Sequence, residues 1–113
     1  GVEMKRADVV VLNLGGNIGK PRPAVIIQAD ILNQDDRLAT TIVLPLTSEL
    51  LNMEVIRYKV EPTSTNGLQC TSQVMVDKIM QIEKSRVQKV VGHLTKKQMD
   101  EIESRLLAIL GVH

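Results

Sequence analysis

The feature that most constrains the fold is a series of short apolar runs, separated by turn residues and followed by one helical pattern. Runs rich in Val, Ile and Leu predict six strands, at residues 7–14, 24–28, 40–46, 55–60, 69–76 and 87–94. The clearest break between them is residues 61–67, where Asn66-Gly67 favours positive φ. Short strands repeated in this way predict a strongly bent sheet or an open barrel.

The last stretch of the chain has helical spacing instead. Thr95 and Gln98 fit a capping box, and the flanking residues Leu94 and Met99 fit a hydrophobic staple. Apolar residues then recur at helical intervals before a stop at Gly111: Met99, Ile102, Leu106, Ile109 and Leu110. The apolar stripe of this helix must be covered by the sheet or by a partner chain. The predicted fold class is therefore mainly β, a small β-barrel plus a C-terminal α-helix.

Composition limits how such a chain can build a core and bind a ligand. At 113 residues it has room for one core, so we expect a single domain over residues 4–113. Tyr58 is the only aromatic residue, so the core must be aliphatic and stacking platforms for nucleic-acid bases are nearly absent. The formal net charge is +1, which gives no global basic footprint. Any contact with nucleic acid must therefore come from local groups.

The sequence gives no support to several other site classes. Cys70 is the only cysteine, which excludes an internal disulfide and argues against a zinc site, so no metal or cofactor is expected. The Gly-rich loop lacks the Gly-Lys-Ser/Thr of a phosphate-binding P-loop. His93 precedes the helix cap and His113 is terminal, and neither suits catalysis. Apolar runs fall short of a membrane span of about 18 residues and no secretory signal is visible, so we expect a cytoplasmic protein without membrane contacts.

Residues 14–27 combine a flexible loop with a stiff entry into a strand. Three glycines lie within residues 15–19, and Pro21 and Pro23 then flank Arg22. The prolines restrict the backbone on both sides and push Lys20 and Arg22 towards extended conformations. A guanidinium held at the mouth of a buried strand loses little entropy when it binds a phosphate. The same local sequence also fits a hairpin turn with a solvated arginine.

A second stretch, residues 41–48, is an apolar strand that ends in the hydroxyls of Thr47 and Ser48. The motifs K-P-R-P-A-V-I-I-Q and V-L-P-L-T-S, together with R-A-D-V-V-V-L-N-L, V-M-V-D-K-I and G-H-L-T, occur in an order that resembles the MazF/PemK family of toxin ribonucleases. This resemblance covers nearly the whole chain. It implies the SH3-like barrel of CcdB and PemK toxins and a symmetric homodimer. It also implies sequence-specific, metal-independent cleavage of single-stranded RNA (mRNA), and neutralisation by a MazE-like antitoxin.

The resemblance also implies which residues are catalytic. R-P-A-V matches the family's catalytic arginine at Arg22, and P-L-T-S matches its catalytic threonine at Thr47. RNA supplies its own nucleophile, the 2′-hydroxyl, so the enzyme must mainly stabilise charge on the phosphate, which suits a guanidinium fork and a hydroxyl donor. The family's arginine is also assigned proton transfer, but with a pKa above about 12 an arginine is an awkward general base. The local alternative for Thr47 is a hydroxyl that caps the following turn.

Substrate contacts are expected from polar residues on the same loops and strands: Asn17, Lys20, Gln28, Ser48, Asp77 and Lys78. The Asp77-Lys78 pair also fits a solvated strand edge. Three features depart from the family pattern: the loop before Arg22 is shorter, Ala7 replaces a glycine, and Met80 replaces an arginine. Two alternatives therefore remain, a catalytically inactive regulatory domain and a gyrase poison of the CcdB kind, although the chain lacks the Trp-Gly-Ile ending of such poisons.

Overall fold

The computed structural model describes residues 2–14 and 20–112. The elements follow one another along the chain as β1 (Asp8–Leu12), β2 (Arg22–Ile26), α1 (Asp30–Asn33), β3 (Thr40–Thr47), β4 (Arg57–Val60), β5 (Ser72–Met75), β6 (Met80–Glu83), β7 (Val87–His93) and α2 (Lys96–Ile109). A 3₁₀ turn at Lys84–Arg86 joins β6 to β7.

Within the described residues, seven antiparallel strands form one sheet with the order β4-β5-β3-β2-β1-β7, and β6 pairs with β3 outside this path. β3 is the longest strand and organises the sheet. One edge of β3 pairs with β2, whereas its other edge pairs first with β6, at residues 40–43, and then with β5, at residues 46–47. Since one strand serves two partners on the same edge, the sheet bends sharply, as predicted for a small barrel with a C-terminal helix.

Successive residues of β1, β2 and β3 point into two different cores, because side chains alternate across a strand. One core is enclosed by the bent sheet and contains Val10, Leu12, Ala24, Ile26, Val43, Ile82 and Val87. The other lies between the sheet and α2 and contains Val9, Val25, Leu44, Leu46, Val60, Val74, Val76, Met99 and Ile102. Burial on both faces explains why these strands are continuous apolar runs rather than alternating ones.

The helix α2 begins as predicted. Thr95 Oγ1 accepts a hydrogen bond from the Gln98 backbone N–H (3.1 Å), and the Gln98 side chain accepts one from the Thr95 N–H (2.9 Å), which completes the capping box. Gly111, with a φ of 73°, follows the last turn. Neither described helix is long and apolar enough to cross a membrane.

Among the differences from the sequence expectation, two concern β6 and β4. Residues 80–83 form the strand β6, which is not among the six strands predicted from the sequence, because residues 40–43 of β3 supply a pairing edge for it. β4 begins at Arg57, two residues later than predicted. Ala7 has a φ of 79°, a left-handed conformation that L-residues other than glycine rarely adopt, which gives a physical reason for the glycine usual at this position.

The turn at residues 61–71 is tied to β7 by a close approach of two backbones. The buried side chain of Asn66 accepts from the N–H groups of Thr63 and Leu68, each at 3.0 Å. A Cβ at Gly92 would lie 2.3 Å from the Thr65 carbonyl oxygen, and one at Gly67 would lie 2.3 Å from a carbonyl of β7. Both positions therefore require glycine.

Candidate active site

The register of β2 and β3 brings Arg22 and Thr47 to the same end of the sheet. Val25 pairs with Leu44, and Ala24 pairs with Pro45, the last pair of this ladder. Pro45 has no N–H to donate, which is consistent with the ladder ending there. Arg22 and Thr47 each lie two residues beyond that last pair. Side chains that are two residues apart on a strand point to the same face of the sheet. Arg22 and Thr47 therefore point to the same face as Ala24 and Pro45.

Both groups keep hydrogen-bonding capacity for a ligand. Arg22 is exposed, and its guanidinium has no hydrogen bond within the part of the chain that the structure describes. Thr47 Oγ1 accepts the backbone N–H of Glu49 (3.1 Å), so the capping bond foreseen as the local alternative is present. This bond uses only a lone pair of the hydroxyl and orients it, while the O–H proton remains available to a substrate.

Next to Thr47, on the side away from Arg22, lies a polar cluster on β5 and β4. Gln73 is the direct partner of Thr47 in the β3–β5 ladder. Its side-chain oxygen accepts from the N–H of Leu51 (3.0 Å) and from Nη1 of Arg57 (3.2 Å), and its side-chain nitrogen donates to the Leu51 carbonyl (2.8 Å). Gln73 thereby ties the loop that follows Thr47 to the sheet.

The other expected substrate-binding residues are divided among several positions. Lys20 and Ser48 are exposed, immediately before β2 and immediately after β3. Asp77 and Lys78 are exposed on the turn between β5 and β6. β5 and β6 pair with the end and the beginning of the same β3 edge, so this turn lies alongside the middle of β3. Asn17 lies outside the described residues.

Gln28 requires a correction, because the structure gives its side chain a structural contact. The side chain is buried, and its amide donates to Asn33 Oδ1 (3.0 Å) and to the Thr40 carbonyl (3.2 Å). Asn33 in turn donates to the Gln28 carbonyl (2.9 Å) and accepts from the buried hydroxyl of Thr41 (2.7 Å). A substrate could reach this amide only by breaking these bonds. Gln28 is therefore left out of the site proposed below.

No group of three or more His, Cys, Asp or Glu side chains within residues 2–14 and 20–112 is arranged to hold a metal ion. Tyr58, next to Arg57 on β4, has a shifted pKa. Burial is the main cause that raises the pKa of its hydroxyl, the nearby Glu101 carboxylate raises it further, and Arg105 opposes both. Arg105 lies over the Tyr58 ring, 5.0 Å from its centre.

Comparison with known proteins decides the family. The model of PemK-like, MazF-like toxins of type II toxin–antitoxin systems matches residues 5–110. The chain is also 34% identical over 110 residues to a probable endoribonuclease MazF of Mycolicibacterium smegmatis, a match that covers 96% of this chain and 98% of that one. The chain belongs to this MazF-like family. It is also 28% identical to an endoribonuclease MazF of Staphylococcus saprophyticus, across 97% of this chain and 93% of that protein.

Solved structures of MazF-like toxins share the fold described above. An endoribonuclease in complex with its cognate antitoxin from Mycobacterial species superposes with a TM-score of 0.81 at 22% identity, covering 97% of each chain. A MazE–MazF complex from Deinococcus radiodurans gives a TM-score of 0.78 at 18% identity, covering 98% of this chain and 99% of that one. These likenesses confirm the predicted mainly-β fold with its helix.

Sequence reasoning missed the contribution of Gln73 in this MazF-like chain. The available signal was a polar residue inside an apolar strand: Gln73 stands beside Val74, yet it is only 8% exposed. Buried polar side chains are normally hydrogen-bonded, so such a residue points to a partner. The partner itself, on a neighbouring strand, could be identified only from the register.

Proposed function

We propose that this chain is a sequence-specific, metal-independent endoribonuclease toxin that cleaves single-stranded RNA through attack of the 2′-hydroxyl. The observation that carries the proposal is the position of Arg22 and Thr47, two residues beyond the same pair of the β2–β3 ladder. The Arg22 guanidinium has no hydrogen bond among residues 2–14 and 20–112, and the Thr47 hydroxyl proton is available. The endoribonuclease names of the curated relatives support the same activity.

The chemistry asks little of the protein beyond positioning and charge. The 2′-hydroxyl attacks the adjacent phosphorus, the bond to the 5′-oxygen breaks, and the products carry a 2′,3′-cyclic phosphate and a 5′-hydroxyl. Arg22 stabilises the negative charge that builds up on the phosphate oxygens, and the Thr47 hydroxyl donates a hydrogen bond to one of them. A water molecule or a phosphate oxygen accepts the 2′-hydroxyl proton, and the same relay returns a proton to the leaving 5′-oxygen, which becomes the 5′-hydroxyl.

Among the residues that the structure describes, no histidine fits this site. His93 pairs with Asp8 at the beginning of β1, whereas Arg22 pairs with Leu12 at its end. Four residues of extended chain separate the two ends by about 13 Å. His93 is therefore too far from Arg22 for both to contact one phosphate, and charge stabilisation by Arg22 and Thr47 remains the proposed mechanism.

Further substrate contacts are assigned to Lys20, Ser48, Asp77 and Lys78, which are exposed on loops around β2, β3 and β5. We further propose that the chain acts as a homodimer in the cytoplasm and is neutralised by a MazE-like antitoxin. Solved relatives described as MazE–MazF complexes support the antitoxin assignment. An acidic, partly disordered segment is the chemistry expected of a partner that competes with RNA for a cationic site.

The test is cleavage of a long single-stranded RNA by purified protein in EDTA. Arg22→Ala and Thr47→Val are expected to slow cleavage by about a hundredfold or more each, the usual effect of losing one well-placed donor to a developing oxyanion. Arg37→Ala is the matched control, because Arg37 is also exposed but pairs with Asp35 (2.8 Å) before the first residue of β3. Cuts should recur at one short motif and vanish when its 2′-hydroxyl is replaced by hydrogen.

Two results would contradict the proposal. Equal cutting by the wild type and Arg22→Ala would mean that the active site lies elsewhere or that a contaminating nuclease is responsible. A wild type that cuts none of several RNAs would favour the inactive-domain or gyrase-poison alternatives. Loss of activity on addition of EDTA alone would reject metal independence while leaving the endoribonuclease assignment in place.

A further inference from the structure

A cationic cleft of about 370 Å³ lies beside the proposed active site, between the β4 edge, the loop after Thr47 and α2. Its lining contains three basic residues and one acidic residue, together with polar and apolar groups: Leu51, Asn52, Glu54, Arg57, Tyr58, Lys59, Gln73 and Arg105. The excess of positive charge matters because the chain as a whole is close to neutral. Anion binding in this protein must come from such local clusters.

The guanidinium of Arg57 is held on one side and unoccupied on the other. Its Nη1 donates to the Glu49 carbonyl and to the Gln73 side-chain oxygen, each at 3.2 Å. Its Nε is buried, and it is the one buried side-chain nitrogen or oxygen of the described residues without a hydrogen-bond partner. Buried N–H groups are nearly always paired, so an unpaired one calls for an explanation. Nη2 has no hydrogen bond among the described residues, so the guanidinium keeps a donor group for a phosphate beside the buried Nε.

The other basic groups of the cleft are already engaged. Arg105 donates through Nε to the Glu54 carbonyl (2.8 Å) and pairs through Nη1 with Glu101 (2.9 Å). Lys59 lies 3.8 Å from the Glu61 carboxylate. Arg57 has no salt bridge with any described carboxylate, so its charge is the one left for a ligand.

Register connects this arginine to the proposed catalytic residues. Gln73 bonds Arg57 and is at the same time the direct cross-strand partner of Thr47, so a single strand separates the two groups. We propose that Arg57 binds the RNA phosphate next to the scissile one, and that Gln73 positions its guanidinium for this contact. The inference rests on the proposed function, because the scissile phosphate is defined by Arg22 and Thr47.

RNA is the ligand class that these observations favour over an acidic peptide. The cleft is lined by Gln73, the direct cross-strand partner of Thr47, and a nucleic-acid backbone places phosphates at regular intervals along a strand. An arginine that met only an antitoxin carboxylate would not need to share Gln73 with the strand that carries Thr47. The carboxylate remains the alternative that the experiment must separate.

Binding is measured with a mixed-sequence single-stranded DNA, which has the same phosphates but no 2′-hydroxyl and cannot be cut. Arg57→Gln is expected to weaken binding about tenfold and to reduce the slope of log affinity against log salt by about 0.7, the value for one phosphate contact on a single strand. Arg57→Lys keeps the positive charge but lacks the planar fork of the guanidinium. Its DNA affinity should therefore lie between those of the wild type and Arg57→Gln. Arg37→Gln, at an exposed arginine on the other end of β3, should match the wild type.

Two further readouts separate binding from folding and from chemistry. In ¹⁵N spectra of the wild type, the Nε–H resonance of Arg57 should shift as the DNA is added, which is independent of whether Arg57→Gln folds less stably. In RNA cleavage, Arg57→Gln and Gln73→Ala should raise KM about tenfold while kcat changes much less. Arg22→Ala should instead lower kcat.

The inference is overturned if Arg57→Gln binds DNA as tightly as Arg37→Gln and the Nε–H resonance does not move. If cleavage still depends on Arg22 in that case, the proposed function stands and only the second phosphate contact is lost. A shift of the Arg57 resonance with polyglutamate but not with DNA would also overturn it, in favour of a carboxylate from a protein partner. DNA binding through Arg57 without any RNA cleavage would reject the nuclease proposal and, with it, the assignment of this contact to a phosphate next to the scissile one.

Discussion

Asn33→Ala is the substitution whose cost can be worked out most directly from the structure. Asn33 is the last residue of α1, only 8% exposed, and joins this helix to β2 and β3. Its Oδ1 accepts from the Gln28 side chain and from the hydroxyl of Thr41, which is fully buried, and its Nδ2 donates to the Gln28 carbonyl. A methyl group at this position can replace none of these bonds.

The expected loss of unfolding free energy is about 3 kcal/mol. Two buried groups lose a partner outright, the Thr41 hydroxyl and the Gln28 carbonyl, and an unsatisfied buried polar group costs about 1–3 kcal/mol. The Gln28 amide retains its bond to the Thr40 carbonyl and adds little. Thr41→Val is the matched control, because it removes the hydroxyl together with its need for a partner and should cost only about 1 kcal/mol.

Urea unfolding of the two single variants and the double variant measures these terms. The double variant should lose about 1–2 kcal/mol less unfolding free energy than the sum of the two single variants. Asn33→Ala leaves the Thr41 hydroxyl without a partner, and the double variant no longer contains this hydroxyl. Additive losses, or a loss below about 1 kcal/mol for Asn33→Ala, would show that the bonds are replaced by water and refute this account. RNA cleavage per folded molecule should be unchanged, which would confirm that the network around Gln28 is structural.

Three further predictions concern local conformation and charge. Gly67→Ala should reduce the free energy of unfolding by about 3 kcal/mol and Gly111→Ala by about 1 kcal/mol. Both glycines have positive φ, but only a Cβ at Gly67 would meet backbone atoms. Equal losses in urea unfolding would argue against the close contact with β7. Thr95→Ala should cost about 1 kcal/mol through loss of the α2 cap, measured by thermal unfolding, with Thr95→Ser close to wild type. Because burial raises the pKa of Tyr58 above its ordinary value of about 10, the folded state holds this proton more tightly than the unfolded state. The stability that depends on this proton is therefore complete below about pH 10 and is lost as the pH rises through the folded pKa. Tyr58→Phe should remove this loss of stability. Near-ultraviolet absorbance follows the titration, because Tyr58 is the only aromatic residue.

The sequence carried the candidate catalytic pair because those residues belong to contiguous motifs. Arg22 lies between two prolines at the start of an apolar strand, and Thr47 ends another; the local sequence also fitted a solvated arginine and a capping hydroxyl, and the family resemblance singled out the pair. Their common position depends on the ladder that ends at Ala24 and Pro45. Gln28 failed for the opposite reason, because a polar residue at a strand end looks the same in sequence whether it faces solvent or a buried amide.

The sequence by itself determined the elements of this protein whose causes are local. The capping box at Thr95, the turn at Asn66-Gly67 and the apolar strand runs follow from side-chain chemistry within a few residues, and they appear in the fold. The family resemblance determined the fold class, since ordered motifs cover nearly the whole chain.

Only the tertiary structure decided which strands meet. β6 exists because residues 40–43 of β3 leave an edge open beside β5, and Arg57 meets Gln73 because β4 and β5 pair in one register. Register is a long-range property: a slip of one residue would point every side chain of a strand to the other face without changing any local pattern. For that reason the buried network of Asn33 and the contact of Arg57 with Gln73 became visible only in the folded chain.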